Sequence, residues 1–132
     1  MVTIVRDVQI EAPAGAVWAA VRDYAGLDRL VPGFVVGCDM IEAATPTRRV
    51  RFANGTELIE RMISCDDATR RLVWNVTSDG FDHHNGALTV VSDSPATTRV
   101  VWTADLLPDS LAETLGPLMQ AGLAVMQRQL AV

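Results

Sequence analysis

The sequence predicts an α+β domain in which an antiparallel strand meander is closed by one long C-terminal helix. Three observations predict it. Between Asp109 and Val132, Leu111, Leu115, Leu118, Met119, Gly122, Val125 and Met126 recur at spacings of three and four, which places an apolar stripe along one side of a helix. From Phe34 to Leu106, short alternating segments are separated by turn residues at regular spacing, the pattern of hairpin-connected strands. The chain has 132 residues, 49% apolar and 20% charged, the size and composition of one globular domain spanning 1–132.

Residues 3–11 alternate Ile4, Val8 and Ile10 with Arg6, Gln9 and Glu11, which reads as a half-buried strand. Ala12-Pro13 then opens a helix, proline being tolerated where its missing N–H has no partner to lose. Val17, Trp18 and Val21 form its buried side, and residues 24–30 read as a second short helix ended by Pro32-Gly33. Strands follow over residues 34–41 and 47–53. Asn54-Gly55 is expected to form a two-residue type I′ turn into a strand over 56–64. Residues 71–77, 83–91 and 98–106 complete the meander, with turns at 66–69, Asp79-Gly80 and 92–95. For the terminal helix, Asp109-Ser110 is the expected cap and Glu113 has the capping-box spacing from Ser110. Gly116-Pro117 is expected to kink it. Glu113, Gln120, Gln127, Arg128 and Gln129 interrupt its stripe too often for a membrane span.

Charge and composition remove several function classes. Net charge is −5 and all eleven basic residues are arginine, so neither nucleic acid nor an anionic membrane surface is the expected partner. A chain without lysine forms no Schiff base through a side-chain amine. Arg6, Asp7 and Glu11 interrupt the N-terminus where a signal peptide needs an apolar core, so the expected compartment is the cytoplasm, with Cys38 and Cys65 reduced. His83 and His84 are adjacent on a strand and point to opposite faces, so no metal is expected, and no cofactor. Neither cysteine has a context that activates it as a nucleophile. No glycine-rich phosphate loop is present.

Turn geometry fixes a provisional register. With Asn54-Gly55 in a two-residue turn, Arg51 faces Leu58 and Arg49 faces Glu60. One face of the hairpin then carries Arg49, Arg51, Leu58, Glu60 and Met62, the other Arg48, Val50, Phe52, Glu57, Ile59 and Arg61. Both faces are mixed, so alternation alone leaves open which one meets the helix. Later strands are clearer. Leu72, Trp74 and Val76 share a face, as do Val100, Trp102 and Ala104, and stepping back by twos from Leu88 puts Gly86 and His84 together.

The segments IEAPAGAVWAAVRDYAGLDRLVPGF, NGTELIERMISCDDATRRLVWNV, HHNGALTV and TRVVWTADLLPD together resemble the polyketide cyclase/dehydrase branch of the START-like (SRPBCC) superfamily. Its members share a helix-grip fold with the major birch-pollen allergen, and the similarity runs from Ile10 to the final helix. The resemblance implies a seven-stranded antiparallel sheet gripping the C-terminal helix, two short helices after the first strand, and a cavity for an apolar small molecule. It also implies that Glu60 points into that cavity, that Arg49 and Arg51 follow by register, and that His84 matches an inward position.

On that reading Arg51, Glu60 and His84 are the candidate catalytic residues. Arg51 would bind a carbonyl or enolate oxygen as a fixed cation, His84 would shuttle a proton, and Glu60 would orient it or act as base. Arg49, Leu58, Met62, Trp74, Trp102, Leu115, Met119 and Met126 are the candidate ligand contacts. The set suits aldol-type cyclisation or dehydration of a polyketide- or lipid-like molecule. An Arg–Glu pair that neutralises itself across strands, with a quiet histidine nearby, is the structural alternative. A non-catalytic lipid or quinone chaperone, or a protein-interaction module, is the functional one. Expected partners are a hydrophobic small molecule, no nucleic acid and no inserted membrane, with the chain a monomer or homodimer.

Overall fold

The computed structural model describes residues 1–132. β1 (Val2–Ile10) leads into helix α1 (Ala14–Arg22), a 3₁₀ turn at Tyr24–Gly26 and the one-turn helix α2 (Leu27–Leu30). β2 (Val35–Ile41), β3 (Thr47–Phe52), β4 (Glu57–Asp66), β5 (Arg71–Val76), β6 (His83–Ser94) and β7 (Thr97–Leu107) follow, and α3 (Ala112–Leu130) ends the chain. The strands form one antiparallel sheet in the order β1-β7-β6-β5-β4-β3-β2, so the chain's first strand closes the far edge against its last. This is the helix-grip architecture expected.

The local chemistry of each element is plain. Alternation in β1 buries Ile4 and Ile10 and exposes Thr3, Val5, Asp7 and Gln9. Pro13 stands just before α1, whose side with Ala14, Val17, Trp18 and Val21 is buried. The 24–30 segment is shorter in helix than expected, a 3₁₀ turn followed by a single α turn. The expected capping box of the terminal helix does not form. A 3₁₀ turn over Asp109–Leu111 leads into α3 without a side-chain cap, and the Asp109 carboxylate instead lies 3.3 Å from the N-terminal amine. α3 continues through Pro117 and buries Gly116, Met119, Gly122, Leu123 and Met126.

The hairpin between β3 and β4 departs from the two-residue turn. Phe52 N–H donates to Thr56 O at 2.9 Å and Gly55 N–H to Phe52 O at 3.0 Å, so the loop is Ala53-Asn54-Gly55. Asn54 keeps a negative φ, which excludes type I′, while Gly55 takes φ 89° in the left-handed region. The extra loop residue slips the register by one, pairing Arg48 with Glu60, Val50 with Leu58 and Arg51 with Glu57. A one-residue slip turns every side chain of β3 to the other face. Arg48 and Val50 are therefore buried, and Arg49 and Arg51 are exposed on the convex face.

Two apolar clusters make the core. The larger joins α1 and α2 to the sheet and to Leu123 and Met126 of α3. The smaller joins Ile4, Ala104 and Leu106 to Met119, and Trp102 packs against both. Close approaches depend on two glycines. A Cβ on Gly86 would lie 2.5 Å from the Trp74 indole, and one on Gly122 would lie 3.0 Å from Phe34 and 3.2 Å from Trp102. Gly86→Val should therefore cost ~1–3 kcal/mol in chemical denaturation through overpacking. Gly15→Ala, where nothing lies within 4 Å of the added carbon, should stabilise α1 by ~0.5 kcal/mol.

Candidate functional site

α3 packs chiefly along β1, α1 sits over β6 and β7, and α2 meets β2. The central strands are left partly uncovered, and a cavity of about 920 Å³ lies there. Leu58 and Glu60 of β4, Trp74 of β5, His84 of β6 and Trp102 of β7 form its floor. Leu111, Thr114, Leu115, Leu118 and Met119 come from the first half of α3 and its lead-in, and Phe34 and Phe52 close one side. Exposed residues of the β3–β4 loop and of the β5–β6 loop, including Asn54, Asp79 and Gly80, line the mouth. Most of this wall is apolar, the usual character of a small-molecule site.

Register places the polar floor groups in one transverse row. Arg48 pairs with Glu60 and Glu60 with Val76, and Asn75 beside Val76 pairs with Asn85 beside His84. Glu60 and His84 are thus two strands apart, a Cα separation of roughly 9.6 Å at ordinary strand spacing. They do not hydrogen-bond to each other. Each answers to its own surroundings.

Glu60 is 5% exposed and Arg48 2%. Arg48 Nε donates to Glu60 Oε1 at 2.9 Å, Nη2 lies 2.8 Å from the same oxygen, and Nη1 donates to Tyr24 O at 3.0 Å. The guanidinium lies over the Tyr24 ring, 3.8 Å from its centroid, and 5.9 Å from that of Trp74. Tyr24 OH in turn donates to Glu60 O at 2.9 Å. Burial holds the Tyr24 hydroxyl far above its ordinary pKa, with Arg48 opposing the shift, so it stays a donor. Every nitrogen of Arg48 is engaged, whereas Glu60 Oε2 has no protein partner on a residue that lines the cavity.

His84 is 7% exposed, with its ring 4.8 Å from that of Phe81. Burial, assisted by the neighbouring His83, pushes its pKa down to about 4, so the imidazole is neutral at pH 7. The sequence predicts a proton shuttle titrating near neutrality, and desolvation removes that property. Three buried side-chain polar atoms lack a protein partner: Asp28 Oδ1, His84 Nδ1 and Trp102 Nε1. Two of the three belong to residues that line the cavity.

The other expected site residues divide. Leu58, Trp74, Trp102, Leu115 and Met119 line the cavity with Glu60 and His84. Met126 is 2% exposed in the larger core cluster, and Met62 packs against that cluster beside Trp74, so neither reaches the cavity wall. Arg51 is on the convex face, its Nη1 2.8 Å from Asp39, with the guanidinium over Gly37. Arg49 lies 3.9 Å from Glu57 on the same face. The register slip excludes both from the interior and puts Arg48, which the sequence reading left outside, in their place. One signal for Arg48 was available: it alternates with Val50 and Phe52, the apolar residues of β3. Tyr24, at the start of the segment after α1, carries no catalytic motif in the sequence, and its hydroxyl reaches β4.

Comparison with known proteins agrees with this fold. Residues 1–131 match the family described as polyketide cyclase / dehydrase and lipid transport. A protein of Thermobifida fusca solved by NMR is 31% identical, with a TM-score of 0.80 over 98% of this chain and 93% of its own. The Zhui aromatase/cyclase from Streptomyces sp. R1128 superposes at 0.78 with 17% identity, covering 98% and 90% of the two chains. A START superfamily protein from Mycobacterium smegmatis superposes at 0.78 with 15% identity, over 97% and 96%. At those lower identities the likeness is one of fold. No curated protein sequence matches significantly. No helix is long and apolar enough to cross a membrane. By its match over residues 1–131, the chain belongs to the polyketide cyclase / dehydrase and lipid transport family, and its fold is START-like.

Proposed function

We propose that this protein binds a hydrophobic or aromatic small molecule, polyketide- or lipid-like, in the cavity between the sheet and α3. The observation that carries the reading is a largely apolar hollow of about 920 Å³ whose floor holds a 7%-exposed imidazole without a protein partner. A buried polar group without a partner costs ~1–3 kcal/mol. A bound molecule that hydrogen-bonds His84 recovers that cost. Trp74, Trp102, Leu58, Leu115 and Met119 supply the apolar wall, and Glu60 Oε2 supplies a second polar contact.

Cyclase or dehydratase chemistry is the finer form of this proposal. His84 is its base and Glu60 holds the substrate through Oε2. Arg48 fixes Glu60, and the convex-face Arg51 has no part in it. A neutral imidazole with a lowered pKa is a weak base, and the cation nearest the cavity is already engaged. Binding is therefore the stronger reading and turnover the weaker one.

Purified protein should retain, or take up, an apolar aromatic ligand detectable by native mass spectrometry. Leu115→Trp, which fills the cavity from α3, should weaken that binding at least ~10-fold, or ~1.4 kcal/mol, while the fold stays intact. A protein that binds no such ligand at any accessible concentration would sink the proposal.

Two stability measurements test the floor. Arg48→Met leaves Glu60 buried without its partner and should cost ~3–5 kcal/mol in denaturant unfolding, whereas Arg48→Met/Glu60→Met should recover most of the loss. For His84 the folded pKa lies below the unfolded one, so the unfolded chain binds the proton first as pH falls. Stability should decline from pH 6.5 to about 4 and then level off, by at most ~3 kcal/mol from this group. His84→Phe should be no less stable than wild type at pH 7. The difference between the two proteins, followed by thermal melts from pH 7 to pH 4, isolates the histidine from the carboxylates that titrate in the same range.

A further inference from the structure

We infer that the cavity screens its ligands by charge, admitting uncharged apolar molecules and excluding their carboxylate or sulfonate counterparts. The inference rests on the binding role proposed above and adds the ligand's charge to it. Among the residues lining the cavity there is no arginine, and the chain has no lysine. The charged residues that do line it are Glu57, Glu60 and Asp79, all acidic. Glu57 turns toward Arg49 at 3.9 Å on the outside, while Asp79 is exposed at the mouth.

No arginine lines the cavity: Arg6 lies against Gly116 of α3 with its Nη1 donating to Val5 O at 2.9 Å, and Arg48, Arg51, Arg99, Arg22 and Arg29 are paired with carboxylates. Arg48 stands behind Glu60 with all three nitrogens engaged, so the pair is neutral and presents its carboxylate side to the hollow. Arg51 and Arg99 are paired with Asp39 and Asp7 on the convex face, and Arg22 and Arg29 with Asp67 and Asp23 beside the short helices. A net charge of −5 adds a field of the same sign. An anion entering this space loses its hydration and meets no cation on the residues that line it, which costs several kcal/mol after relaxation. An uncharged ligand loses far less, and its hydroxyl or carbonyl finds the unpartnered imidazole of His84, itself 7% exposed. The matching ligands are alcohols, phenols, ketones or esters, and free fatty acids or other carboxylates do not match.

Two fluorescent probes with one skeleton test this. N-phenyl-1-naphthylamine is neutral, and 1-anilinonaphthalene-8-sulfonate carries a sulfonate on the same rings. The neutral probe should bind wild-type protein at least ~10-fold more tightly. Leu115→Trp should weaken the neutral probe, which locates it in the cavity. Thr114→Arg, an exposed helix position at the cavity wall, should raise sulfonate affinity roughly 10-fold and close most of the gap. Equal affinities in wild type, or a gap unmoved by Thr114→Arg, would overturn charge screening and leave the cavity as a binding site. Failure of both probes to bind would overturn the binding role and this inference together.

Discussion

Seven strands at ~4.8 Å spacing make a sheet roughly 29 Å wide, and a helix is only ~10 Å across. One helix cannot cover such a face. α3 resolves the mismatch by lying along β1 at one edge, and α1 and α2 cover other parts of the concave surface. The strands between are closed by loops and by bulky side chains reaching over open space. A hollow is therefore a consequence of the element count and of where the helix docks. The paired glycine–aromatic approaches at Gly86–Trp74 and Gly122–Phe34/Trp102 keep the surroundings tight without filling it.

The hollow has a floor that tolerates burial of charge only because the charges answer one another. Arg48 and Glu60 are each almost fully enclosed, and Tyr24 ties them to the segment after α1. Such a pair contributes little net stability, since desolvation offsets most of the attraction, but losing either partner leaves a bare buried charge. It holds β3, β4 and the short helices in one arrangement. In doing so it fixes part of the cavity floor and leaves Glu60 Oε2 without a protein partner.

His84 illustrates how the same enclosure alters chemistry. A histidine in water titrates near neutrality, but one packed against Phe81 under an apolar roof stays neutral well into acid. What His84 brings to the cavity wall is a dipolar ring, able to donate or accept a hydrogen bond, with little proton-transfer capacity at pH 7.

Much of this was legible in the sequence. The order of elements, the apolar stripe of α3, and the inward faces of β5, β6 and β7 followed from periodicity, because those strands separate apolar from polar residues cleanly. Glu60 and His84 were placed inside by resemblance to a family, and the structure brings both to the cavity wall. The β3–β4 register was not read correctly, and Arg49 and Arg51 went to the wrong face with it. Two-residue and three-residue loops differ by one backbone conformation at Asn54, and Asn-Gly suits either. Three arginines within four residues of β3 masked the apolar signal of Val50 and Phe52. Only closure of the loop against the neighbouring strand decided which arginine was buried. Only the docking of α3 along β1 decided that the space beside it was left open, because both depend on contacts between residues far apart in the chain.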